Sequence, residues 1–278
     1  MLRQRVLTAI VLLIVLVAVL AAPWPLSWPL FLALASGLAV WEWLRLTFIR
    51  SPAVQVGGGL IMFAFLAVQA WFWVTSSTLW PVFDVAVVIT ALTWLLIVPF
   101  RLSRGPREVV QDSMIAGLFA PLCLYATWGA LVIWQSQGIW KMLSVLILVW
   151  IADIFAYFGG RKWGTRKLAP AISPGKTLEG AYTGLAGVAL WMAVTSQIDG
   201  SYAQQVFSRF GWLGVVLVAL LLGSISIMGD LFESLLKRQV KIKDSSNLLP
   251  GHGGVYDRID AVVAVVPVAY LIVHPTFF

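Results

Sequence analysis

The sequence predicts an all-α, polytopic integral membrane protein of about nine transmembrane helices, with its N-terminus cytoplasmic and its C-terminus outside. Three observations lead there. Hydrophobic residues make up 60% of the chain and charged ones 11%, with a mean hydropathy of +0.92, against roughly 45–50% and 25% in soluble domains. Nine apolar runs follow one another, at about 6–22, 25–44, 54–75, 79–99, 114–134, 142–159, 180–196, 211–231 and 259–274. Several approach the ~20 residues that cross a ~30 Å hydrocarbon core. Finally, all of the 19 Lys and Arg except Lys141 and Arg209 fall in the N-terminus and in alternate loops, the asymmetry that marks the cytoplasmic side.

Taken in order, Arg3 and Arg5 precede the first run, which also resembles a signal peptide but is long for one, so an uncleaved helix is expected. Arg45 and Arg50 follow the second run, and Arg101, Arg104 and Arg107 the fourth. Arg161, Lys162, Arg166, Lys167 and Lys176 follow the sixth, and Lys237, Arg238, Lys241, Lys243 and Arg258 the eighth. The sixth, seventh and ninth runs are short, which predicts broken or partly embedded helices. A pI near 9.8 would suit nucleic acid, but charge confined to alternate loops of an apolar chain argues against such a partner. The single cysteine, Cys123, lies in an apolar run, so no internal disulfide forms and a buried, inert thiol is expected.

The chain divides by composition. Residues 1–136 read as an N-terminal scaffold of about five helices, with few acidic groups: Glu42, Asp84, Glu108 and Asp112. Glu42 lies within four residues of Arg45 and is expected to form a local ion pair; Asp84 and His274 are expected at interfaces. Residues 137–278 read as a catalytic region with two cytoplasmic loops, about 160–179 and 232–258. Charges beside a bilayer are costly, and their clustering here points to chemistry or transport.

Four constellations stand out. In Asp153–Arg161, helical spacing puts Asp153, Tyr157 and Gly160 on one face. Ser173-Pro-Gly-Lys176-Thr177-Leu-Glu179-Gly180 lacks the first glycine of a phosphate loop, having Pro170 there, and reads as a capped helix start beside Lys176, an anion site. Asp230, Glu233, Ser234, Lys237 and Lys241 share one helical stripe, either a salt-bridge ladder or a holder of metal and polyphosphate. Last come Lys243-Asp244, the tight turn Leu249-Pro-Gly-His252-Gly253-Gly254, and Asp257-Arg258-Ile-Asp260. Two carboxylates three residues apart at a helix start suit Mg²⁺, which takes few protein ligands plus substrate phosphates. Jointly these residues predict a metal-assisted site for phosphate-bearing substrates, one of them a lipid.

The run from Ser234 to Asp260 resembles the signature of the phosphatidate cytidylyltransferases, or CDP-diacylglycerol synthases, and the resemblance extends over roughly residues 140–275. It implies transfer of cytidylate from CTP to phosphatidate with Mg²⁺, a second cation being left open, at the cytoplasmic face of a bacterial-type inner membrane. It also suggests a homodimer. Asp230, Asp257 and Asp260 are then the first metal candidates, with Asp153 and Asp244 next. Lys237, Arg238 and Arg258 would bind phosphates, as would Lys176 with the helix start at Thr177, and His252 a phosphate oxygen. Tyr157, Arg161, Ser173, Glu179, Glu233, Ser234, Lys243, Gly253 and Gly254 complete the expected substrate contacts. The alternatives are a CTP-dependent polyprenol-type kinase and, further off, an ion-coupled transporter, whose site would lie near the bilayer midplane.

Overall fold

The computed structural model describes residues 2–48, 51–106 and 113–274. Arg50, Arg107, Glu108 and Asp112 lie outside the described residues. Among the described residues, ten α-helices, one π-helical turn and one β-hairpin follow in order: α1 (Leu2–Ala21), α2 (Ser27–Thr47), α3 (Pro52–Ser76), α4 (Val82–Leu92), the π-turn (Thr93–Ile97), α5 (Val98–Ser103), α6 (Met114–Gln137) and α7 (Ile139–Trp163). Strands β1 (Lys167–Ala169) and β2 (Ser173–Thr177) come next, then α8 (Leu178–Thr195), α9 (Tyr202–Gln239) and α10 (Tyr256–Val273).

Each of the nine apolar runs falls on a helical stretch, α4, the π-turn and α5 together making the fourth. Among the described residues six helices are long and apolar enough to cross a membrane: Ser27–Thr47, Pro52–Ser76, Val82–Ser103, Met114–Gln137, Ile139–Trp163 and Tyr202–Gln239. The protein is all-α in character and integral to a membrane.

Three expectations change. The sixth run is not short: α7 has 25 residues, because its helix continues through the polar Asp153–Arg161 stretch. The loop expected from 232 starts late, because α9 runs on to Gln239, with Lys237 and Arg238 in the last turn, where cations meet the negative end of the helix dipole. Lys241 has left the helix, with φ 59°, so the polar stripe ends at Lys237. The hairpin was not anticipated; it pairs Lys167 with Thr177 and Ala169 with Ser173, antiparallel.

The chain forms two compact units, each discontinuous in sequence: Met1–Ala86 with Glu108–Val132 and Leu236–Ile259, and Val87–Arg107 with Ile133–Leu235 and Asp260–Phe278. The first unit is built on α2, α3 and α6. Two of its buried indoles satisfy their N–H groups on backbone: Trp43 Nε1 donates to Ala116 O at 3.0 Å and Trp128 Nε1 to Pro29 O at 2.9 Å. Cys123 is buried here and in no disulfide, as expected.

The second unit centres on α7, α8 and α9. Ideal Cβ atoms at Gly180 and Gly184 would come within 2.7 Å of Ala156 O and 2.9 Å of Ala152 O, so the backbones of α7 and α8 touch where no side chain intervenes. Tyr202, fully buried, donates to Ala269 O at 3.0 Å and meets Trp134 edge-on. His274 is buried at 8% exposure, with its ring against Tyr270. In α9, Gly211 (φ 64°, ψ −167°) breaks the helix between a short first segment and a long second one.

Candidate active site

The predicted residues fall into two groups, one in each unit. In the second unit α7, the hairpin, the start of α8 and α9 enclose a cavity of about 400 Å³. Asp153, Tyr157, Gly160 and Arg161 line it from α7, Lys176 and Thr177 from β2, and Asp230 from α9. The shared face predicted for Asp153, Tyr157 and Gly160 is therefore the cavity wall. Arg161 Nη1 donates to Tyr157 Oη at 3.3 Å. Lys176 Nζ sits 2.5 Å from Asp230 Oδ2, both side chains partly exposed. Thr177 caps α8 as the sequence predicts, its hydroxyl accepting from Gly180 N at 3.1 Å. Ser173 opens β2 and does not line the cavity.

Beside Asp230, Glu233 and Asp260 each place a carboxylate oxygen so that all three lie within 4.8 Å of one another. Gly229 makes this approach available: a Cβ there would lie 2.8 Å from Asp260 O and 2.9 Å from the Ala261 Cα. Three like charges this close repel unless a cation joins them, and hard oxygen donors with room for phosphate suit Mg²⁺. Glu233 was expected only as a substrate contact. It stands where helical spacing put Asp257. Ser234 Oγ donates to Asp230 Oδ1 at 3.4 Å.

Glu179 does not line the cavity. Its Oε1 accepts from Arg166 Nε at 2.9 Å and Thr165 Oγ1 at 3.1 Å, and its Oε2 from the Thr165 and Arg166 amides at 3.1 and 3.2 Å. These bonds, the Arg166 side chain foremost, hold its carboxyl down from the ordinary 4.5 to about 2. Such a depressed group stabilises the folded loop fully above pH 4.5, and the contribution is lost as pH falls towards 2. Amide exchange at Thr165 and Arg166, corrected for intrinsic rates, is expected to lose protection across that window in the native chain. Glu179→Gln should show lower protection throughout and no such transition.

The second group lies in the first unit. Between Leu249 and Gly253 the chain makes the expected tight turn, with Leu249 N donating to Gly253 O at 2.8 Å and positive φ at Gly251 and Gly253. Lys243, Asp244, His252, Gly253 and Arg258 line a pocket of about 500 Å³ there. His252 Nδ1 is buried with no hydrogen-bond partner among the described residues, an atom that a ligand oxygen would satisfy. Arg238 is exposed on the last turn of α9.

Asp257, at 4% side-chain exposure, is already committed to neighbours in this unit. Its Oδ1 accepts from Lys237 Nζ at 2.8 Å, and its Oδ2 from Gly254 N at 2.7 Å and from Ser245 N and Oγ at 2.9 Å each. Asp257 and Asp260, three apart on α10, thus serve different surroundings. Sequence reasoning missed Glu42. It is wholly buried and bonded to the 245–256 loop rather than to Arg45, whose guanidinium lies 5.0 Å over the Trp41 ring.

The model of the cytidylyltransferase family matches residues 3–276. This chain belongs to that family. Similarity to individual members is nearly end to end. A phosphatidate cytidylyltransferase of Pseudomonas aeruginosa is 39% identical over 275 residues, covering 96% of this chain and 95% of that protein. One from Haemophilus influenzae is 34% identical over 287 residues, covering 96% of each. A third, from Brucella melitensis, is 35% identical over 251 residues, covering 86% of this chain and 82% of its own. Both groups of polar residues lie inside the region matched to the cytidylyltransferase family, and so does Glu42.

Proposed function

We propose that this protein transfers cytidylate from CTP to phosphatidate, giving CDP-diacylglycerol and pyrophosphate for phospholipid biosynthesis. The observation that carries the reading is the near full-length similarity to phosphatidate cytidylyltransferases in a membrane-integral chain. The chemistry fits. A phosphate oxygen of phosphatidate attacks the α phosphorus of CTP. A P–O bond forms there, the bond to the oxygen bridging the α and β phosphorus breaks, and pyrophosphate leaves. The attacking phosphate is already ionised, so no general base is required. Arg161 and Lys176, on the wall of the cavity, would hold phosphate oxygens. Lys243, Arg258 and His252 offer a second set of donors in the loop pocket.

Asp230, Glu233 and Asp260, with Asp153 on the same cavity as Asp230, are the residues that would hold Mg²⁺. Bound there, the ion would neutralise charge on the triphosphate and the leaving pyrophosphate. The proposal includes nine membrane crossings, a cytoplasmic N-terminus, an external C-terminus and a site facing the cytoplasm of an inner membrane. The distribution of Lys and Arg among the loops supports that arrangement. It also includes a homodimer, on family resemblance alone.

CTP labelled separately at the α and γ phosphates tests the reading, with purified protein, phosphatidate and Mg²⁺. Label from the α position in lipid, with pyrophosphate released, is the expected result. Label from the γ position alone would make the protein a lipid kinase.

A further inference from the structure

Glu42 lies on α2, in the N-terminal half that composition assigns to scaffold, yet it is 0% exposed and carries four hydrogen bonds from residues more than 200 positions away. Oε1 accepts from Ser246 Oγ at 2.5 Å and Val255 N at 3.0 Å; Oε2 accepts from Ser245 Oγ at 3.2 Å and Tyr256 N at 2.6 Å. Val255 and Tyr256 stand at the start of α10, where amides have no intrahelical partner and a carboxylate is favoured by the helix dipole. Next to Glu42, Trp43 packs its ring on Tyr256 with centroids 4.8 Å apart. Ser245 Oγ also lies 2.9 Å from Asp257 Oδ2, so its single proton is shared between the two buried carboxylates. Gly254 fits the same arrangement, since a Cβ there would overlap both Ser245 Oγ and Glu42 Oε1.

We propose that Glu42 is a positioning residue for the proposed cytidylyl transfer: it clamps both ends of the 245–256 loop onto α2 and so fixes His252, Asp257 and Arg258. The proposal rests on the cytidylyl-transfer reading for the task of that loop, and the clamp itself is open to a test that needs no activity. Each Glu42 oxygen faces two donors, so the amide nitrogen of a glutamine turns a donor towards donors. Glu42→Gln therefore loosens the loop without changing side-chain volume.

Limited trypsin digestion in detergent reads the clamp directly. Cleavage after Lys241, Lys243 and Arg258 is expected to accelerate at least about tenfold in Glu42→Gln, from the loss of charge-assisted bonds. Cleavage in the segment from Arg161 to Lys167 should be unchanged. Steady-state rates should show kcat/KM down by a similar factor, with KM for CTP raised more than kcat is lowered. Gly254→Ala should reproduce both effects, and combining it with Glu42→Gln should add little, because both act on one contact.

Equal acceleration at both segments would mean general unfolding and would overturn the proposal, as would native cleavage and kinetics in Glu42→Gln. Should that variant not accumulate, Ser246→Ala removes one donor and is read by the same digestion, with a smaller acceleration expected and none overturning the clamp. A wild-type chain without cytidylyl transfer would refute the activity, while the digestion would still decide the clamp.

Discussion

Asp230→Asn is expected to lower cytidylyl transfer on the order of a hundredfold to a thousandfold, the scale seen when one preorganised electrostatic contact to a transition state is removed. It should do so without destabilising the protein. Asp230, Glu233 and Asp260 hold three carboxylate oxygens within 4.8 Å, and neutralising one relieves repulsion in the absence of a cation. The ion pair with Lys176 is lost, but both side chains are partly exposed, 26% and 35%, and such pairs contribute little. Thermal unfolding without divalent cation should therefore be unchanged or slightly higher in the variant.

Added Mg²⁺ should raise the melting temperature of the native protein, because an ion that binds only the folded state stabilises it. It should raise that of Asp230→Asn much less, and the Mg²⁺ concentration giving half-maximal rate should increase. Native Mg²⁺ dependence in Asp230→Asn would remove Asp230 from the metal site. Lys176→Met is the matching control. It leaves all three carboxylates in place, so the expected change is in KM for a phosphate-bearing substrate.

Much of this arrangement is legible in the sequence because it depends on short-range order. Helical period places Asp153, Tyr157 and Gly160 on one wall, Thr177 has the chemistry of an N-cap, and Pro250 with three glycines marks the turn at His252. Runs of apolar residues locate the helices for the same reason. What the sequence hides is set by distance along the chain. Glu42 obeys the rule for a local pair with Arg45, three residues on, but its partners lie 203 to 214 residues away. No periodicity reports on such contacts.

The hairpin is hidden by brevity, since three and five residues are too few to show alternation. Asp257 and Asp260 illustrate a third limit. Their spacing is right for a shared face, yet Asp257, in the first turn, is drawn back by Gly254 and Ser245. Glu233 stands beside Asp260 instead, because Gly229 lets α9 and α10 approach closely.

Removing one partner of the Lys237–Asp257 pair should give a large loss of stability. At 13% and 4% side-chain exposure and 2.8 Å separation the pair is shielded from water. Its carboxylate is further held by Ser245 and Gly254. Lys237→Met keeps most of the side chain's length but leaves Asp257 as a buried charge without this cation. Breaking such a pair costs about 3–5 kcal/mol, because the remaining charge stays desolvated. The double variant Lys237→Met with Asp257→Asn should recover much of the loss, since exchanging both partners for neutral groups removes the stranded charge.

Denaturation in a fixed detergent, monitored by tryptophan fluorescence, measures both. A single variant as stable as the native protein would mean that water reaches Asp257 and that the pair is not structural. Recovery of stability without recovery of cytidylyl transfer would show that the charges themselves, beyond the shape of the loop they hold, are needed for the reaction.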